Sequence, residues 1–237
     1  MDLRERALAY IESSADPREL IALSEALRLG RAQVVAASDD GVLVRVTESG
    51  DYLVGARDGG TAARLLESLT TEDLADSVVA LQDAAWAGAV GFEPDRPLRY
   101  QICVYEGTDP VPVGGSLRIE PLGASDLPTV VAHYKTLPED FVARHLADGW
   151  LYGGYDADGA LVGFVGEHDE GSIGMLEVFS EHRRHGYAFE LEGMLVNRML
   201  AAGRRPFCQV VEGNEASFAL QRKLGFKVLP RVQCWNW

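Results

Sequence analysis

Leu176-Glu-Val-Phe-Ser-Glu-His-Arg-Arg-His-Gly-Tyr-Ala188 is the stretch on which the reading of this chain turns. Apolar residues up to Phe179 read as a strand, which passes through a short polar turn into helix-forming sequence from about Gly186 to Ala202, stopped by Gly203. The start of such a helix offers unpaired backbone N–H groups and a positive dipole end, a ready seat for an anion. Gly186 lets the backbone approach a ligand closely, Ala188 keeps the first turn open, and Arg183 and Arg184 add charge-assisted hydrogen bonds.

Downstream, a strand is expected over Pro206 to Glu212, a helix over Asn214 to Leu224 and terminal strands after it. Asn214 sits where an N-cap is wanted, Gly225 where a left-handed C-terminal residue is wanted, and Arg222 and Lys223 suit the negative helix end. Upstream come a strand from Ser116 to Pro121, helices over Ala124 to Lys135 and Pro138 to Ala147, and two strands, Trp150 to Tyr155 and Ala160 to Glu167, joined by the turn Asp156-Ala-Asp-Gly159.

The first part of the chain runs in the same order. Helices are expected at 2–13 and 17–29, strands near 31–38, 42–47 and 51–55, a helix near 61–69, a strand at 77–81, a helix ending at Gly91-Phe92, and a strand at 98–104. Gly91-Phe92 mirrors Gly225-Phe226, and Arg57-x-x-Gly60-x-Ala62 echoes Arg183-x-x-Gly186-x-Ala188. An internal duplication follows as the hypothesis. Pro, Gly and Asp collect in Tyr105 to Gly115, so the expected domains are 1–114 and 115–237.

The 237 residues are 47% hydrophobic and 24% charged, the composition of a soluble globular protein with room for a real core. The formal charge is −14. That argues against nucleic acid, whose affinity comes from Lys and Arg, and against an acidic membrane surface. Residues 1–114 hold 10 Lys and Arg against 20 Asp and Glu, and residues 115–237 hold 12 against 16, so the second part is the better host for an anion. No apolar run is long enough to span a bilayer and Met1 begins no hydrophobic signal core, so the chain is expected in the cytoplasm. Cys103, Cys208 and Cys234 form no CxxC pair; they read as buried small hydrophobes, with neither a disulfide framework nor a metal site.

The run Val178 to Ala188 resembles the acyl-CoA signature of the GNAT acetyltransferase superfamily: Arg or Gln, two residues, Gly, one residue, then Gly or Ala, here Arg183, Gly186 and Ala188. Asn214-Glu-Ala-Ser-Phe-Ala-Leu-Gln-Arg-Lys-Leu-Gly-Phe226 resembles the superfamily's second motif, whose Asn contacts the pantetheine arm. His168-Asp-Glu-Gly-Ser172, Ser180 to Gly186 and the end Cys234-Trp-Asn-Trp237 look closest to the glycine N-acyltransferase-like branch. The resemblance implies an α/β fold of tandem GNAT-like domains, each a mixed sheet flanked by helices, the first degenerate. It also implies acetyl-CoA or another acyl-CoA as co-substrate and a small-molecule amine as acceptor, in a monomer or homodimer. The CoA contacts it implies are Val178, Phe179, Arg183, Arg184, His185, Gly186, Tyr187, Ala188, Asn214 and Ser217, with strands splaying after Val178 to receive the pantetheine arm.

Acyl transfer to an amine needs a proton acceptor and a stabilised oxyanion, and a thiolate leaves readily. The branch places a basic Glu where this chain has Ser172, and a superfamily Tyr acid where it has Gln221. Glu177, a charge amid Met175, Leu176, Val178 and Phe179, is the first candidate base, with His168 and Glu170 behind it. Trp150, Tyr152, Tyr155, Trp235 and Trp237 are candidates for an acceptor wall or for sheet packing. Loss of the acid-base residues leaves a second reading, a CoA-binding or partner-binding module without catalysis.

Overall fold

The computed structural model describes residues 2–74, 77–93 and 97–236. Its first half is α1 (Leu3–Ser13), α2 (Ile21–Arg28), β1 (Ala32–Ser38), β2 (Gly41–Val46), β3 (Tyr52–Ala56), α3 (Gly59–Leu66), α4 (Thr71–Leu74), β4 (Val79–Leu81) and β5 (Leu98–Tyr105). The second half is β6 (Arg118–Pro121), α5 (Leu127–His133), α6 (Glu139–Ala147), β7 (Leu151–Tyr155), β8 (Leu161–Glu167), β9 (Ile173–Val178), α7 (Tyr187–Ala201), β10 (Phe207–Val211), α8 (Glu215–Leu224) and β11 (Phe226–Asn236). No helix among the described residues is long and apolar enough to cross a membrane.

All eleven strands join one sheet in the order β1-β2-β3-β4-β11-β5-β10-β9-β8-β7-β6. The pairing is symmetric about the β11–β5 pair, with β6 as an extra edge strand beside β7. β1–β2–β3 and β7–β8–β9 are antiparallel meanders, β3–β4 and β9–β10 are parallel, and β4–β11, β11–β5 and β5–β10 are antiparallel. Each half therefore sends its last strand into the other: β11 lies beside β4, and β5 lies beside β10. The repeated element order was legible in the sequence, whereas the exchange was not, because a strand's own residues do not name its neighbour. The cores follow the exchange, with Tyr100, Ile102, Val104, Phe207 and Leu229 packed in one cluster with Leu20, Leu27 and Val44.

Local chemistry explains most elements. Asp2 and Glu5 form a capping box on α1, Asp58 caps α3 through the Thr61 N–H, and Asn214 caps α8 through the Ser217 N–H. Two expectations change. The helix expected to end at Gly91-Phe92 does not form: Asp83 caps a single 3₁₀ turn, Ala84–Trp86, and turns through Gly88 and Gly91 (φ 81°) follow it. The terminal strands are one long β11, whose pairing with β5 slips between Val228 and Val232 around Pro230, a residue without an N–H to give the ladder. Cys103, Cys208 and Cys234 are free and buried.

Candidate active site

The parallel pair β9 and β10 touches at one register position, Ile173 beside Cys208. Beyond it the strands part, which begins at Gly174 rather than after Val178 as expected. The cause lies on the other edge of β9, where Met175 and Leu176 bulge against Val165 of β8 and Met175 takes a left-handed φ of 48°. A bulge bends its strand and adds twist, so β9 turns away from β10 while staying paired to β8.

The opening leads into a cavity of about 560 Å³, within the usual range for a small-molecule site. Gly174, Met175 and Leu176 of β9 face Cys208 to Val211 of β10 across it, Asn214, Ser217 and Gln221 of α8 and Glu192 of α7 line one end, and Val46, Asp51, Leu53, Val78 and Ala80 of the first half line another. Both halves thus wall one space.

The eight-residue connection Phe179–Gly186 runs from β9 to α7. A 3₁₀ turn at Ser180–His182 is followed by left-handed Arg184 (φ 69°) and left-handed Gly186 (φ 85°), which stands at the N-cap with no side-chain cap of its own. Among the described residues the N–H groups of Arg183, Arg184, His185 and Gly186 meet no backbone carbonyl. Such a concavity of free N–H groups at a helix start attracts anions. The Arg184 and His185 side chains are exposed, Tyr187 stacks on His185 at 5.4 Å, and Ala188 is half-buried.

Arg183 is tied back to the strand. Its Nη2 donates to Glu177 Oε1 at 2.9 Å and its Nε to the Val178 carbonyl at 2.9 Å. Glu177 thus spends a carboxylate oxygen on Arg183 and does not line the cavity. Val178 and Phe179 also lie off its lining, and the Phe179 N–H donates to the Val162 carbonyl at 2.9 Å.

Four carboxylates line the cavity, those of Asp51, Asp169, Glu170 and Glu192. Glu170 accepts the Ser172 hydroxyl at 2.5 Å, so a carboxylate two residues upstream stands beside the serine that replaces the branch's basic residue. His168 lies across Gly174 so closely that a methyl group there would overlap its ring, which explains the glycine. Asp169 is buried and ion-paired; although burial pushes it up, the close approach of His145 Nε2 at 3.2 Å and the two hydrogen bonds from Arg144 prevail and hold its carboxyl at about 2.

Glu192 escaped the sequence reading. It is 1% exposed, and its Oε1 accepts the Gln221 amide at 2.8 Å. Burial raises its carboxyl to about 7 against the opposing Gln221 hydrogen bond. The signal was present: Glu192 shares a helical face with Leu195, Val196 and Met199, all buried, and a carboxylate on such a stripe needs a reason. Of the candidate aromatic wall, Trp235 lines the cavity and stacks on Tyr100 at 4.3 Å. Trp150, Tyr152 and Tyr155 carry Arg31, Arg198 and Arg118 on their faces, and Trp237 lies outside the described residues.

Residues 151–236 match the FR47-like protein family. No curated protein matches the chain. A putative GNAT-family acetyltransferase from Novosphingobium aromaticivorans is similar in structure at 20% identity, covering 92% of this chain and 96% of its own, with a TM-score of 0.57. A GCN5-related N-acetyltransferase-like protein from Streptococcus suis gives a TM-score of 0.58 at 13% identity over 99% of this chain and 98% of its own. A tandem GNAT protein from the clavulanic acid biosynthesis pathway gives 0.50 at 19% identity over 97% of this chain and 91% of its own. The fold is that of a tandem GNAT protein.

Proposed function

We propose that this protein is an N-acyltransferase that moves an acyl group, in the first instance acetyl, from coenzyme A to a small amine by direct attack in a ternary complex. The observation that carries this reading is the opening between β9 and β10 set beside the uncapped start of α7. The diphosphate rests on the N–H groups of residues 183–188 with Arg184 beside them, and the pantetheine arm enters the opening toward Asn214 and Ser217. A thioester carbonyl reaching the Met175–Leu176 bulge would meet peptide groups that have left the ladder, the type of donor that stabilises an oxyanion.

The amine approaches from the end walled by His168, Glu170 and the first half. Glu170, held by Ser172, takes the ammonium proton; the amine nitrogen then attacks the carbonyl carbon, the carbon–sulfur bond breaks to release the thiolate, and the second proton of the attacking nitrogen passes to that thiolate to leave the amide and the free thiol. Glu177 keeps Arg183 and the cradle in place on this reading. Calorimetry with acetyl-CoA and thiol release over a panel of amines test the proposal. Binding in the micromolar range and amine-dependent thiol release are expected. No acetyl-CoA binding overturns it, and binding without thiol release from any amine reduces the protein to a CoA-binding module.

A further inference from the structure

Glu170 stands in a tight turn, His168 to Ser172, that neighbouring elements hold at every second residue. The turn's own backbone bonds are few: the His168 N–H donates to the Ser172 carbonyl and the Gly171 N–H to the His168 carbonyl, each at 2.9 Å. Glu167, just before the turn, is 8% exposed and receives Arg204 Nη1 at 2.9 Å and Arg31 Nη1 at 3.1 Å. Asp169 has both oxygens on Arg144 of α6, at 2.7 and 2.9 Å. Gly171 gives its carbonyl to Arg204 Nη2 at 2.9 Å, and Leu29 packs against it 2.8 Å from where a Cβ would stand. The residues between these grips, His168 and Glu170, line the cavity.

Arg31 is the contribution of the first half. Its backbone is fixed, since its N–H donates to the Ala26 carbonyl and its carbonyl accepts the Thr47 N–H, both at 2.8 Å. Its guanidinium lies over the Trp150 ring at 4.1 Å from the centre. The turn and the residue before it carry three carboxylates in four residues, Glu167, Asp169 and Glu170, which repel one another unless cations stand among them. Arginines pair with the first two. Among the described residues Glu170 alone of the three has no arginine partner, and its carboxylate carries the Ser172 hydroxyl instead.

We propose that Arg31, Arg144 and Arg204 are positioning residues for Glu170, and that through Arg31 the first half takes part in acyl transfer. The inference rests on the acyl-transfer reading with Glu170 as proton acceptor. A base works only within hydrogen-bond reach of its proton, and a displacement of about 1 Å can cost about 100-fold in rate. The three guanidinium groups fix the turn on both sides of Glu170 and leave its own carboxylate uncommitted to a cation. α6, the α7–β10 connection and the first half each supply one of them, so the turn keeps its place only while these elements stay together.

The test is a double-mutant cycle between Arg31→Met, which keeps an apolar stem over Trp150 and leaves Arg204 on Glu167, and Glu170→Gln. Thiol release from acetyl-CoA with the fastest amine of the panel gives kcat, and calorimetry gives acetyl-CoA affinity. Alone, Arg31→Met should lower kcat about tenfold, part of the roughly 100-fold at stake in placing the base, and leave acetyl-CoA affinity unchanged. In the Glu170→Gln protein it should lower kcat no further, because no base is left to place. Glu167→Gln, which keeps shape, should repeat the pattern at about threefold and carries the test if Arg31→Met does not fold. Equal losses with and without Glu170, or an unchanged kcat in both Arg31→Met and Glu167→Gln, overturn the positioning while the acyl-transfer reading stands. An unchanged kcat in Glu170→Gln alone removes the base and this inference with it, and no thiol release from wild type removes acyl transfer as well.

Discussion

The two halves contain the same parallel strand pair, closed in one and open in the other. In the first, Tyr52, Leu53 and Val54 of β3 pair in succession with Val79, Ala80 and Leu81 of β4, and two residues, Arg57 and Asp58, lead into α3. In the second, β9 keeps one contact with β10 and an eight-residue connection leads into α7. The helix starts differ in kind as well. Asp58 places a carboxylate on the N–H groups of α3, where it repels an anion, and Gly186 leaves those of α7 free. The first half is sealed by its own hydrogen bonds, and the second leaves backbone groups unpaired. The sequence echo between Arg57-x-x-Gly60-x-Ala62 and Arg183-x-x-Gly186-x-Ala188 does not survive this comparison, since Gly60 lies inside α3 and Gly186 stands before α7.

The largest effect is expected from separating the halves. A 115–237 fragment lacks β5, which holds β10 at five positions and β11 at seven. It should show no cooperative melting and no acetyl-CoA binding; a folded, binding fragment would break the claim that the halves share one sheet. Next, Glu170→Gln should lower kcat roughly 100-fold with little change in acetyl-CoA affinity, as general bases contribute about 10²–10⁴-fold. An unchanged kcat would move the proton acceptor elsewhere.

Stability against pH probes the open half further. The folded Glu192 carboxyl stands near 7 against an ordinary 4.5, so the native state holds its proton longer than the unfolded chain. Stability should therefore fall as pH rises from about 4.5 to 7 and then level. Glu192→Gln should remove that fall and gain up to about 3 kcal/mol at pH 8, read by urea denaturation of the ligand-free protein.

Two glycine replacements set the halves directly against each other. Gly186→Val forces a β-branched residue to a φ of 85° and should weaken acetyl-CoA binding about tenfold. Gly60→Ala, inside α3 where its methyl would meet Asp58 Oδ1 and Arg64 Nη1 at ordinary contact distances of 3.5 and 3.7 Å, should leave binding unchanged and shift stability by no more than about 1 kcal/mol, upward by helix propensity. Equal effects of the two on binding would mean that the α7 start has no special part in it.

Elements were legible wherever the cause is local. Asn214, Gly225 and the apolar stripe of α8 bound that helix within a residue, and Gly203 stops α7. Glycines misled at 84–91, where an alanine-rich stretch reads as helix until Gly88 and Gly91 are weighed. At the site, the 183–188 turn was read from a strand passing into a helix start and Asn214 and Ser217 came with the family resemblance, whereas Glu170, Glu192 and Gln221 acquire meaning from elements that meet only in the folded chain.

By itself the sequence determined the repeated order of helices and strands and the uncapped helix start after Phe179. Each follows from residues a few positions apart. Tertiary structure alone decided that the halves trade their last strands, that β9 leaves β10 at Gly174, and that Glu192 faces Gln221 in a shared cavity. These depend on pairings between segments up to a hundred residues or more apart, such as β5 with β10, whose energies no local stretch of chain contains.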